Sequence, residues 1–199
     1  MTRSLVAALV LFSLPVSGSI YLAKKAGGAG PEILAPDDTA ANSSWRESDN
    51  TACGTRCDTA TCETSIDEDP ASPDGLLVST ITNNQELLID FPTPASNPST
   101  ATTAQVFDIN VSPTDGSCIE SVAATPNYDV ALYCNGVNKG DIATAIDITG
   151  TGQNDSYSWT YTTDADCDAA GANVQIGIQS HRISSHHVTI NAVEWESQP

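Results

Sequence analysis

YDVALYCNG, residues 128–136, decides the fold. Tyr128, Val130, Leu132 and Cys134 fall on one side of an extended chain, and Asn135-Gly136 is the dipeptide that closes a tight hairpin. The same period of two recurs on both sides of it. LLVSTI (76–81), ELLIDF (86–91) and AQVFDINVS (104–112) precede it. DIATAIDITGTG (141–152), SYSWTYT (156–162), ANVQIGIQS (172–180) and HHVTINAVEWE (186–196) follow. Prolines fall between these runs, where no ladder hydrogen bond is lost. Short alternating strands separated by turn residues, with no helical period, predict an all-β, antiparallel β-sandwich or jelly-roll-like domain.

Composition narrows the partners. The chain has 199 residues, 25 Asp and Glu against 7 Lys and Arg, and a formal net charge of −18. Such a surface repels phosphate backbones and anionic lipid, so nucleic acid is excluded as a partner. MTRSLVAALVLFSLPVSGS, residues 1–19, has a basic start, a short apolar core and small residues after Pro15, the pattern of a signal peptide. Read instead as a retained apolar anchor or assembly helix, residues 5–23 would reach roughly 28 Å across a bilayer. Membrane contact is expected only through that segment.

Six cysteines, Cys53, Cys57, Cys62, Cys118, Cys134 and Cys167, lack zinc-finger spacing. In an exported chain they predict disulfides, with the pairing left open. Residues 20–52, rich in Gly, Ala, Pro, Asp and Ser, read as a flexible arm, 53–65 as a cysteine-rich staple and 66–199 as the sandwich. Pro31, Glu32, Ile33 and Leu34 are the arm's candidate for adding a strand to a neighbouring sheet. SIDEDPASPDGLL (65–77) then reads as the entrance to the domain. Asp67, Glu68, Asp69 and Asp74, and likewise Asp164, Asp166 and Asp168, supply oxygens of the kind Ca²⁺ takes, but without a regular ligand order. No cofactor is expected.

No catalytic constellation is present: GxSxG, HExxH, the P-loop and GxGxxG are all missing. A non-enzymatic chain is expected. His181, His186 and His187 read as solvated residues around a turn at Ser184-Ser185 rather than as a ligand set. Tyr157, Trp159 and Tyr161 share one side of a strand. Exposed, the stripe would stack sugars; buried, it is simply a core face, the plainer reading. The polar loop 93–104 is a second candidate for a binding edge, and Asn42, Asn110 and Asn154 open sequons.

In order along the chain stand IDEDPASPDG, DFPTP, VALYCNG, IDITGTGQNDSYSWTY and NAVEWE. This series resembles an uncharacterised β-rich module of phage and prophage structural proteins and bacterial surface proteins. The resemblance implies a displayed, non-enzymatic sandwich with no catalytic residues to carry over. The expected function is therefore a structural protein of an extracellular assembly, such as a virion decoration or fibre component or a cell-surface filament subunit. Its partners would be copies of itself or other virion or surface proteins. The alternative is a secreted carbohydrate-binding module.

Overall fold

The computed structural model describes residues 31–39, 44–48, 53–57, 62–67, 70, 77–79, 85–94, 104–160, 172–181, 183 and 185–198. Their strands are β1 (Glu32–Leu34), β2 (Asp38–Thr39), β3 (Trp45–Ser48), β4 (Cys53–Arg56), β5 (Leu77–Ser79) and β6 (Gln85–Asp90). The longer ones follow: β7 (Gln105–Thr114), β8 (Asn127–Cys134), β9 (Val137–Asp147), β10 (Gln153–Trp159), β11 (Val174–His181) and β12 (His187–Ser197). No α-helix occurs among the described residues. All strand pairs are antiparallel and form a seven-stranded sheet, β10-β7-β12-β5-β3-β4 with β1 also on β12, and a five-stranded sheet, β2-β6-β11-β8-β9. The all-β sandwich expected from the alternation is the fold.

The core is what period two dictates. Phe107, Ile109 and Val111 of β7 and Val188, Ile190, Val193 and Trp195 of β12 meet Leu87, Ile89, Val130, Leu132, Val174, Ile176 and Ile178 from the other sheet, all buried in one cluster. Phe91, Phe107, Trp159 and Trp195 pack ring on ring at one end, with centroids 5.4 to 6.3 Å apart. At one edge the sheets are joined by polar contacts instead. The Tyr128 hydroxyl donates to Asp155 Oδ2 at 2.6 Å and lies 2.6 Å from the Tyr157 hydroxyl.

The arm expected over residues 20–52 is, where described, part of the sandwich. β1 pairs Glu32, Ile33 and Leu34 with Ser197, Glu196 and Trp195, and β2 pairs Asp38 and Thr39 with Asp90 and Ile89. The chain thus crosses from one sheet to the other, with Leu34 and Pro36 buried. Trp45 of β3 is fully buried. Leu34 and Trp45 are core residues, while Ile33 is exposed, and the burial of those two holds the short strands in place. Pro31 to Leu34 therefore add their strand to their own sheet edge. Residues 1–30, with the signal-peptide and anchor readings, lie outside the described residues.

The stretch taken as a domain entrance is a strap inside the domain. Ile66 is fully buried, and its carbonyl accepts the Val193 amide at 2.9 Å beside the irregularity between Ile190 and Ala192 in β12. Asn110 Nδ2 donates to the Pro70 carbonyl at 2.9 Å. Asn110, Ser112, Thr189 and Asn191 on the outer side of the seven-stranded sheet are buried. Asn110 is thereby withdrawn from use as a glycan acceptor in the folded chain. Disulfides pair Cys53 with Cys118 and Cys57 with Cys62, and Cys134 is disulfide-bonded as well.

Candidate functional site

The five-stranded sheet has an outward side on which the described residues are mostly half-buried. Period two places Glu86, Leu88 and Asp90 of β6, Gln175, Gly177, Gln179 and His181 of β11, and Asp129, Ala131 and Tyr133 of β8 on it. Register brings them into rows. Asp38, Asp90, Gln175, Tyr133 and Asn138 follow one another across the five strands. The next row runs Leu88, Gly177, Ala131 and Asp141.

Gly177 and Ala131 leave a shallow floor, and one side chain lies across it. A Cβ placed on Gly177 would stand 2.8 Å from Tyr133 Cε2 and 2.1 Å from Glu86 Oε1. The Tyr133 ring therefore reaches from β8 toward β11 and brings its Cε2 edge beside Gly177, where the Glu86 carboxylate stands closer still. Its hydroxyl donates to Glu86 Oε2 at 2.8 Å, pinning the ring from β6. Partial burial pushes the phenol pKa up, and the Glu86 carboxylate pushes the same way. The result is an aromatic ring edge and a carboxylate held together over the glycine.

At one end of this face is a cleft of about 440 Å³ lined by Asp37, Asp38, Asp90, Phe91, Pro92, Thr93 and Asn173. Gln175 orients it: its carbonyl oxygen accepts the Gly136 amide at 3.0 Å, and its amide donates to Asp90 Oδ1. Burial pushes the Asp90 carboxyl pKa up. The Gln175 amide works against that, and the charges of Asp38 and Asp37 reinforce it. At the other end His181 Nε2 lies 2.7 Å from Asp129 Oδ2, and Asp129 Oδ1 accepts the Ala145 amide at 2.6 Å.

The residues singled out from sequence fare differently. Trp159 is buried and stacked on Phe107, ring planes 8° apart. Tyr157 packs against the core with its hydroxyl on Tyr128. The stripe is thus a core face as far as it is described, and Tyr161 lies outside the described residues. His187 is buried and His186 half-buried, 3.4 Å from the Ser121 hydroxyl, so these two are packed rather than solvated. Among the described residues no group of three or more His, Cys, Asp or Glu is arranged to hold a metal ion. Of the carboxylates considered for Ca²⁺, Asp67 is described, and Glu68, Asp69, Asp74, Asp164, Asp166 and Asp168 are not. Most of the 93–104 loop is likewise outside, although Thr93 lines the cleft. Tyr133 was missed. Its signal was an aromatic on the outward phase of the opening hairpin.

No family profile and no curated protein matches the sequence. Among solved structures, the chain is similar to the xylan-binding module CBM15, at 14% identity and a TM-score of 0.43, over 85% of this chain and 100% of that one. It is also similar to the Agl-KA catalytic domain, at 12% identity and a TM-score of 0.39, over 86% of this chain and 29% of that one. Superpositions this loose say nothing about a ligand.

Proposed function

We propose that the chain is a non-enzymatic carbohydrate-binding module of an oxidising compartment, and that the outward face of its five-stranded sheet is the binding surface. The observation carrying this reading is the Tyr133 ring beside Gly177 on the outward side of the sheet, its hydroxyl bonded to Glu86. A pyranose has an apolar face and a rim of hydroxyls. It needs a flat apolar platform and nearby acceptors and donors, and Tyr133 with Glu86 provides the first pair. Asp90, Asp38 and Asn173 offer more acceptors and an amide in the adjoining cleft. The side chains are already fixed by hydrogen bonds, so little rotamer entropy is lost on binding.

The disulfides favour an exported location. The virion or filament reading rests on the resemblance, and the described part of its candidate attachment arm is used by the domain itself. Binding to a panel of soluble polysaccharides by affinity electrophoresis, with Tyr133→Ala alongside, tests the proposal. Retardation by at least one neutral polysaccharide, lost in the variant, is the expected result. Equal retardation of both proteins removes the site, and no retardation by any polysaccharide removes the function.

A further inference from the structure

The outward face has a length and a sign, and together they define what lies on it. We infer that the ligand is an extended, uncharged glycan of about three rings, running from the Tyr133 ring along β6 over Leu88 into the cleft at Asp37, Asp38, Asp90 and Asn173. This rests on the carbohydrate-binding reading and adds polarity, length and charge class to it.

Length comes from register. Tyr133 lies over Gly177, and Asn173, four residues earlier at the start of the same strand, lines the cleft. Four residues of strand span about 13 Å, room for about three pyranose rings end to end. At the Tyr133 end Leu88 is half-buried on the same face, directly across from Gly177. A ring placed there rests on an alkyl side chain rather than on a charge. At the cleft the groups change to carboxylates and an amide, which bind hydroxyls rather than an apolar ring face.

The sign comes from the side chains along the path. Glu86, Asp90, Asp38 and Asp37 are acidic, and the basic group described on this face, His181, lies 2.7 Å from Asp129 at the far end. Burial pushes the Asp90 carboxyl up, and the charges of Asp38 and Asp37 push the same way. A uronate or sulfate ester brought into that cleft meets three carboxylates, whereas a neutral hydroxyl meets three acceptors.

Titration calorimetry on the full chain tests this with neutral β-linked gluco- and manno-oligosaccharides of one to six rings, and with oligogalacturonate of matching length. Affinity for the neutral series is expected to rise at least tenfold from one ring to three, then level, and to change less than twofold between low and high salt. Asp38→Ala and Asn173→Ala, both exposed, are expected to weaken the three-ring ligand severalfold and leave the single ring unchanged. Equal affinity for one and three rings, or no effect of both cleft variants, overturns the path. Oligogalacturonate binding as tightly as the neutral series overturns the charge class while leaving the Tyr133 site intact. If Tyr133→Ala also leaves all binding unchanged, the underlying site has failed.

Discussion

Replacing Gly177 by Ala separates the platform from the fold. The new Cβ would lie 2.1 Å from Glu86 Oε1, 2.8 Å from Glu86 Cδ and 2.8 Å from Tyr133 Cε2. All three contacts are to side chains, so the strand stays and the ring lifts. Stability changes little. The hydrogen bond from Tyr133 to Glu86, lost at a half-exposed site, is worth about 1 kcal/mol. Alanine in place of glycine in a strand returns roughly 0.5–1 kcal/mol. The net is within about 1 kcal/mol, a Tm shift of no more than about 4 °C. Binding changes more. Losing about 50 Å² of ring contact at ~25 cal/mol per Å² costs about 1.3 kcal/mol, close to a tenfold weaker Kd. Calorimetry with a neutral oligosaccharide, paired with a thermal melt, reads both quantities. Tyr133→Phe, which keeps the ring and removes the hydroxyl, is expected to keep most of the affinity. An unchanged Kd in Gly177→Ala with an unchanged Tm refutes the platform. A Tm lower by more than about 10 °C refutes the claim that only flexible side chains stand over the glycine.

Trp159→Ala, by contrast, removes a buried ring stacked on Phe107 and is expected to destabilise the fold by about 3–5 kcal/mol in denaturant, while Tyr133→Ala leaves the midpoint near wild type. The two mapped disulfides differ in loop length, 65 residues for Cys53–Cys118 and 5 for Cys57–Cys62. Removing the first is expected to cost about 4 kcal/mol and the second about 2 by the loop-entropy relation, and equal losses in paired Cys→Ser variants would contradict it. Burial pushes the Tyr157 pKa up to about 12, and burial pushes Tyr128 further still. The unfolded chain therefore releases these protons first as pH rises past about 10, and stability falls from there upward. Denaturant melts between pH 9 and pH 11 check this, and Tyr157→Phe flattens the decline. For Asp90 the folded carboxyl titrates above its unfolded value, so native stability is highest with the acid protonated and declines as pH rises through that range. Asp90→Asn is expected to remove the decline, seen as a Tm that no longer depends on pH in the weakly acidic range.

The sequence showed its long strands and β5 clearly, but of β1 to β4 only the strand-adding segment at Pro31 to Leu34, and the cause is physical. In β6, β7, β8, β11 and β12 apolar residues recur at every second position, and each segment begins and ends within a few residues of where the alternation places it. β1 to β4 run two to four residues each. That is too short for a period to appear, and their composition is that of a loop. They are strands because neighbouring strands β12, β6 and β5 offer them partners and because Leu34 and Trp45 find the core. An isolated large apolar side chain in a polar stretch was the available cue. The bulges in the β8–β9 pairing blurred β9 further, whose burial follows no simple alternation.

The same distinction explains the binding face. Alternation says which residues share a side of a strand, and a one-residue shift of phase exchanges the sides. Tyr157 and Trp159 are as regular a stripe as Tyr133 with Asp129 and Ala131, and nothing local says which stripe points inward. Two facts outside any single strand decide it. Tyr157 and Trp159 sit on β10 across from Phe107, Ile109 and Val111, so their side must complete the core. Tyr133 sits on the side opposite Val130 and Leu132, and register with β11 sets it near Gly177, the position in VQIGIQ without a side chain. An outward tyrosine and an outward glycine 44 positions apart are each unremarkable in sequence. Set diagonally on adjacent strands, they meet because the glycine leaves room for the ring edge and for the β6 carboxylate that accepts its hydroxyl.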